Sequence, residues 1–422
     1  MEGRRGVHRA VAVLLLVFLL LGWQYRASVG VVSNHNASLP GSILSVDNSF
    51  IHSSYLHGNL NSNQNSNQQS TTIHNHNNNT KRILYYTKFW ESPDFLFGEG
   101  TQVFQQCPVS DCWATSDRRG NLGTFDAVLF HPLDTPVHVR HTDNWPRWRQ
   151  AHQRFVLVHM ESPQFGDTLH GFAPGFFNWT MTYLWESDIP RPYGYFVPKL
   201  LDADNFAFAH LPARWITPSP NISNHGIAPL SQRKHEVAWI VSNCQTPSRR
   251  EAYVHELAQH INVTIFGKCS HNHNNTTCDD ACYEHIRQNY RFIIGLENSH
   301  CRDYVTEKFW GRLQDHVVIA RGPIRGAPPH SFIDVNDFAS PATLADHLRT
   351  MDDATYASYF AWQAHYRVRT APGRTRDTAA KRAFFAPSMC RLCEKLHVED
   401  NNVPSVYSDV VAWFATVGQC AG

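Results

Sequence analysis

Seven short apolar runs, separated by amphipathic stretches, constrain this 422-residue chain more than any other feature. The first three are Arg82–Thr87 (RILYYT), Phe125–Phe130 (FDAVLF) and Phe155–His159 (FVLVH). A second series comprises Val237–Ser242 (VAWIVS), Val263–Phe266 (VTIF), Phe292–Leu296 (FIIGL) and Val317–Ala320 (VVIA). Runs this short suit strands covered on both faces better than buried helices. Helical stretches at Ser248–His260 and Tyr304–Leu313 fall within the second series, and the alternation predicts an α/β protein with parallel strands. Between the two series, Leu211–Ser231 carries Pro212, Pro218, Pro220 and Pro229 and reads as an interdomain linker. Two doubly wound halves would face a cleft, with ligands at the carboxyl ends of the strands. Neither GxGxxG nor GxxxxGK[ST] occurs, so dinucleotide oxidoreductase and P-loop readings fall away.

The N-terminus sets an expectation for the compartment. Arg4, Arg5 and Arg9 precede an uncharged apolar run from Ala10 to Trp23, which spans ~21 Å as a helix. A cleaved signal peptide and a short signal-anchor both fit such a run. The interfacial edge of Trp23, Tyr25 and Arg26, and the lack of a clean small-residue cleavage site, favour the anchor, with the N-terminus cytosolic and the rest lumenal. Ala27–Thr80 has no Lys or Arg, only Asp47 as an acid, and nine Asn within Asn59–Asn79. Too little of it is apolar to offset the entropy of ordering, so it reads as a flexible stem. Ten cysteines suit an oxidising lumen. Cys107–Cys112 is expected to close a small local disulfide loop, and the CxxC of Cys390 and Cys393 another. Half of a zinc site with His397 is the rival reading for the CxxC. Sequons at Asn36, Asn78, Asn178, Asn221, Asn262, Asn274 and Asn275 fit the same compartment. A net charge of +1 argues against nucleic acid as a partner.

The stretch Phe292–Trp310 (FIIGLENSHCRDYVTEKFW) carries the clearest chemistry. A strand ends in Glu297-Asn298, and Tyr304-Val305-Thr306-Glu307-Lys308 opens a helix. A helix N-terminus with a lysine in its first turn suits a diphosphate, and Asn298 and Glu307 can bond sugar hydroxyls. The plainer reading is a strand–loop–helix with a capping threonine and a solvated Glu-Lys pair. Asp202-Ala-Asp204 forms a DxD with no nucleotide-cleft context and is read as chance.

This stretch, taken with four others, resembles the α1,3-fucosyltransferase family. The others are Phe155–Gln164 (FVLVHMESPQ), Phe177–Gly194 (FNWTMTYLWESDIPRPYG), Val237–Leu257 (VAWIVSNCQTPSRREAYVHEL) and His330–Tyr359 (HSFIDVNDFASPATLADHLRTMDDATYASY). With the CxxC they cover about Lys81 to Cys393, and the Ser-Asn-Cys and Asn-Ser-x-Cys forms are similar to invertebrate members. The resemblance implies two Rossmann-like domains facing a cleft, the GT-B arrangement. With the N-terminal reading above, the expected division is a cytosolic tail at 1–9, a signal-anchor at 10–26, the stem at 27–80, an acceptor-side domain at 81–230, a GDP-fucose-binding domain at 231–370 and a C-terminal return segment at 371–422. The implied reaction moves L-fucose from GDP-β-L-fucose, with inversion, to O3 of a GlcNAc on an N-glycan core or a LacNAc antenna. The implied setting is the Golgi membrane, in a single-pass type II protein. By motif match Glu161 is the base. Glu307 stabilises positive character at the fucose C1, and Asn243, Arg250, Asn298, Tyr304 and Lys308 bind the donor, with Arg249 as fallback for Arg250. No cofactor or metal is required on this reading, Mn2+ or Mg2+ acting at most as stimulants.

Two departures stand out. Leu184 replaces the family's arginine after Tyr183, and Gly311–Gly322 (GRLQDHVVIARG) is shorter than usual, implying a trimmed helix or a local change of register. They motivate an alternative, a catalytically silent lumenal protein that binds GDP-fucose or glycans. A third reading is a glycosidase using Glu161 and Glu307.

Overall fold

The computed structural model describes residues 79–141, 149–165, 168–199, 232–270, 278–371, 378–398 and 406–421. The expected tail, anchor, stem, Pro-rich linker and DxD lie outside them. Among the described residues no helix is long and apolar enough to cross a membrane.

The chain is α/β, built on two parallel sheets of five strands. The first contains β1 (Lys81–Tyr85), β2 (Cys112–Thr115), β3 (Ala127–Phe130), β4 (Arg154–His159) and β5 (Trp179–Thr182), in the order β2-β1-β3-β4-β5. Every residue of β3, β4 and β5 is buried, as expected for strands covered on both faces. β6 (Gly194–Pro198) leaves this sheet. The second sheet contains β7 (His235–Ile240), β8 (Val263–Phe266), β9 (Tyr290–Ile294), β10 (Val317–Ala320) and β11 (Ile333–Asp334), ordered β11-β10-β9-β7-β8. β12 (Tyr366–Thr370) pairs antiparallel with β6. Both large sheets follow the 2-1-3-4-5 winding, so each has a topological switch point, at β1/β3 and at β7/β9.

The helices are α1 (Val137–His141), α2 (Arg250–Leu257), α3 (Asp280–Asn289), α4 (Glu307–Trp310), α5 (Pro341–Thr350), α6 (Asp353–Ser358), α7 (Thr378–Val398) and α8 (Val410–Gly418). The helix expected over Tyr304–Leu313 is trimmed to one turn. Thr306 caps it, with its side chain accepting from Lys308 N, and Gly311 follows its last residue. Residues 304–305 instead remain outside the helix and carry Tyr304 towards the first sheet. Gly194 is required where it stands, because an added Cβ would overlap the Trp310 ring.

α7 and α8 return to the first sheet. Met389, Leu392, Leu396, Val410 and Phe414 share one core with β1, β3 and β4. The disulfides follow from this return and correct the expected local loops. Cys107 pairs with Cys390, and Cys112 with Cys393. The CxxC occupies one turn of α7, and its two sulfurs meet separate partners, Cys107 in the loop before β2 and Cys112 at the start of β2. Cys244–Cys269, Cys278–Cys282 and Cys301–Cys420 complete the set. The sequon at Asn178 is also corrected: its side chain is buried and accepts from Phe155 N, so it presents no attachment point for a glycan. Asn262 is exposed, and the other five sequons lie outside the described residues.

Candidate functional site

The second sheet's switch point gathers most of the expected donor residues. β7 runs out into Ser242 and Asn243, and β9 into Glu297 and Asn298. Ser248 stitches the two exits, its N donating to the Asn298 carbonyl (3.1 Å) and its Oγ to that of Glu297 (2.7 Å). Arg250, the first residue of α2, does the same with its guanidinium. Nη1 donates to Leu296 O (2.8 Å) and Nη2 to Asn243 O (3.2 Å), while Nε lies 3.4 Å from Glu251 Oε1. The side chain is 3% exposed, so in this geometry Arg250 is a clamp between strand exits. Asn243 is exposed and enters through its carbonyl. Arg249, before α2, is exposed with φ +50°. Asn298 Oδ1 is buried without a hydrogen-bond partner, leaving an acceptor at the switch point unsatisfied.

A compact ionic cluster lies at the N-terminus of α4. Glu297 accepts from Thr306 N (2.7 Å) and Thr306 Oγ1 (2.9 Å), and it pairs with Lys308 Nζ (3.1 Å). Lys308 Nζ also reaches Thr306 Oγ1 (2.8 Å) and Glu307 Oε1 (3.4 Å). Burial raises the Glu297 pKa. For Lys308 burial acts to lower it, but the carboxylates of Glu297 and Glu307 win and hold the ammonium above its usual range. Partial desolvation opposes ionisation of Glu307 too, but the Lys308 charge and hydrogen bonds to its carboxylate outweigh it, so Glu307 stays below the usual range. The result is one cation held between two carboxylates, with the Glu307 side chain 48% exposed.

Glu161 reaches this cluster from the first sheet. It lies two residues beyond β4, and the Tyr304 hydroxyl donates to its Oε2 at 3.0 Å. Burial pushes the Glu161 pKa up, opposed by that hydrogen bond and by Lys308. A carboxylate so desolvated is a stronger proton acceptor than one in water. Tyr304 is itself fixed by rings, with Tyr183 at 5.0 Å and Tyr193 at 6.3 Å between centroids. Tyr193 donates to Met160 O (2.7 Å), and Ser162 Oγ to Ser299 Oγ (2.7 Å), so two further bonds hold the β4 exit in place.

A cleft of about 1150 Å³ opens beside Glu297 and Tyr304. Its wall includes Arg302, Arg321 and Arg325. Arg302 and Arg325 both pair with Glu186, the second at 2.9 Å, so this region does carry cations although Leu184 is fully buried. Arg321 Nη1 lies 3.1 Å from His300 Nε2, and the guanidinium faces the Tyr253 ring.

Among the described residues one group has the spacing for a metal, namely Cys112, Cys393 and His397. Its two sulfurs are bonded to one another, and His397 Nε2 lies 3.0 Å from Asp111 O, so it offers no thiolate. The zinc reading of the CxxC therefore fails here.

The structure thus brings Glu161, Tyr304, Glu307 and Lys308 together, with Asn243, Arg250 and Asn298 at the adjoining switch point. Sequence reasoning missed Glu297 and Thr306 as the scaffold of the cluster, and Tyr193, Ser162 and Ser299 as supports of Glu161. A glutamate ending an apolar strand was the available signal for Glu297. The serines and Tyr193 act through chain-distant partners and left none.

Comparisons with known proteins agree over both sheets. Residues 78–194 match "Fucosyltransferase, N-terminal", and residues 230–413 match "Glycosyltransferase family 10 (fucosyltransferase) C-term". Alpha-(1,3)-fucosyltransferase C of Drosophila melanogaster is 32% identical over 360 residues, 79% of this chain and 78% of that protein. Alpha-(1,3)-fucosyltransferase 7 of Bos taurus is 32% identical over 342 residues, 79% of this chain and 86% of that protein. Glycoprotein 3-alpha-L-fucosyltransferase A of Drosophila melanogaster is 30% identical over 76% of this chain, which spans 58% of that longer protein. A crystal structure of an alpha1,3-fucosyltransferase aligns at 15% identity and a TM-score of 0.42, over 78% of this chain and 92% of that one.

Proposed function

The chain belongs to glycosyltransferase family 10, the fucosyltransferases, and on that premise we propose that it is an α1,3-fucosyltransferase moving L-fucose from GDP-β-L-fucose to O3 of a GlcNAc in glycoprotein glycans. The observation that carries the reading is Glu161, desolvated at a strand exit of the first sheet and joined through Tyr304 to the Glu297–Lys308–Glu307 cluster of the second.

In the proposed step the acceptor hydroxyl gives its proton to Glu161. The oxygen then bonds to the fucose C1 from the face opposite the nucleotide. The bond from C1 to the diphosphate oxygen breaks, GDP leaves with the electron pair, and the configuration inverts. Lys308 faces the growing negative charge of the leaving group, Arg250 adds its buried charge from between the strand exits that frame it, and Asn243, Asn298 and Tyr304 hold the donor. The exposed Glu307 carboxylate meets the positive character at C1. The two sheets form the acceptor-side domain (81–230) and the donor-side domain (231–370) of a GT-B enzyme, with 371–422 as the return segment. The first 26 residues anchor it as a type II protein of the Golgi membrane, with the site in the lumen. No metal is required on this reading.

The test supplies the full chain with GDP-fucose and two acceptors, an N-glycan with an exposed core GlcNAc and a LacNAc oligosaccharide, and reads the products by mass spectrometry. Transfer to one of them, lost in Glu161→Gln, establishes both chemistry and acceptor class. GDP-fucose binding without transfer establishes the silent binding protein instead.

A further inference from the structure

The first sheet has its own switch point, between β1 and β3, and its carboxyl edge carries an unusual feature. Phe89 and Ser92 bond to each other in both directions (2.9 and 3.0 Å), closing a two-residue hairpin just beyond β1. The two residues at its tip, Trp90 and Glu91, have φ of +46° and +69°. Tight turns with two positive φ values are normally built from Asn and Gly, and a bulky tryptophan is strained there. Strain of this kind persists where surrounding structure holds it, and it concentrates at functional sites.

Here the surroundings hold it. Trp90 N donates to Asp134 Oδ2 (3.2 Å), and the same oxygen lies 2.6 Å from His131 Nδ1, directly after β3. Phe89 is buried beneath the turn, 4.6 Å from the His131 ring. Yet beyond a tilted contact with the His131 ring the Trp90 side chain is left to solvent: the residue is 51% exposed. It is not alone. Among the described residues six large hydrophobics are exposed, and four follow the carboxyl ends of this sheet: Trp90 after β1, Leu133 and Val137 after β3, and Phe165 after β4. Apolar side chains left exposed on the loops that follow a sheet's carboxyl ends are placed to meet a ligand there. Trp90 is also linked to the reacting end of the site. Its ring lies 5.5 Å from that of His131, His131 lies 6.3 Å from His159, and His159 stands two residues before Glu161.

We propose that Trp90 is a stacking platform for a sugar ring of the acceptor glycan beyond the one that receives fucose. The flat indole would meet the C–H face of a pyranose, while Lys88 and Glu91, an exposed pair 3.2 Å apart, flank it for hydroxyls. A ring bound there lies along the β1/β3 edge while the reacting hydroxyl reaches Glu161. This rests on the glycosyl-transfer reading above and makes Trp90 a determinant of preference for extended acceptors over minimal ones.

The test compares wild type with Trp90→Gly and Trp90→Phe in the full chain. Transfer is measured to an extended glycan and to its minimal GlcNAc-containing disaccharide. Trp90→Gly lowers the extended-over-minimal preference in kcat/KM roughly tenfold, through KM, and at the same time raises the melting temperature by relieving the turn. Trp90→Phe recovers most of the preference. Equal losses on both acceptors, or a fall in melting temperature with an unchanged preference, overturn the proposal and make Trp90 a structural residue. Saturation-transfer NMR of glycan binding separates this from the reading it rests on. If the wild type transfers nothing but binds the extended glycan, and Trp90→Gly abolishes that binding, the platform stands and the transfer reading fails. If the wild type transfers and Trp90→Gly leaves KM for the extended glycan unaltered, the platform fails and the transfer reading stands.

Discussion

Replacing Tyr304 with phenylalanine tests whether Glu161 acts as a base tuned from the opposite sheet. The change removes a single oxygen. That oxygen donates to Glu161 Oε2 at 3.0 Å, and it favours the charged form of a carboxylate whose pKa burial pushes up. A hydrogen bond to a charged acceptor contributes about 1.5–3 kcal/mol. At 1.36 kcal/mol per factor of ten, its loss moves the protonation equilibrium of Glu161 roughly ten- to a hundredfold towards the acid. The sign is fixed: a base harder to ionise is protonated to higher pH. The acid limb of kcat/KM for the acceptor therefore shifts upward in Tyr304→Phe, while the rate on the high-pH plateau changes less. The aromatic contacts with Tyr183 and Tyr193 do not need the hydroxyl, so the fold is retained. The assay is a pH–rate profile of fucose transfer between pH 4.5 and 8.5, with melting temperature recorded across the same range. An acid limb that stays in place, or moves down, refutes the role given to Glu161.

Three further outcomes are expected. Lys308→Met raises KM for GDP-fucose and destabilises the chain by about 1–3 kcal/mol, because Glu297 loses its counter-charge; adding Glu297→Gln restores the melting temperature but not transfer. Cys393→Ser breaks the bridge to Cys112 and lowers stability by about 2–5 kcal/mol in chemical denaturation, whereas mutating both cysteines of Cys278–Cys282, which closes a far shorter loop, has a smaller effect. Dialysis against EDTA leaves most of the transfer rate in a product assay, since cations of the protein neutralise the leaving group; complete loss, restored by Mn2+, refutes that step.

How much of this was legible in the sequence depends on how local the signal is. β8 and β10 fall where their apolar runs fall: β10 is buried along its whole length, and β8, half-buried at the sheet edge, still reads as a short β-branched run. β2 (CWAT) and β5 (WTMT) were missed, since four-residue strands mixing Thr with Cys or Trp look like loop. The Tyr304–Lys308 segment was legible as chemistry. Its helix was over-extended, because nothing local shows that Tyr304 is drawn away towards Glu161. The disulfides show the same limit. Spacing suggests local loops, and only the return of α7 to the first sheet reveals that the CxxC has two partners far away in sequence.

That return also sets a timetable for biosynthesis. The core under the first sheet includes Met389, Leu392 and Phe414, which leave the ribosome long after β1 has emerged. The loop leading to Tyr304 is fastened through Cys301 to Cys420, 119 residues further along the chain. A nascent chain therefore displays an unfinished first sheet until α7 and α8 have been made. A chain cut back before Cys420 would carry both sheets and yet leave that loop unfastened.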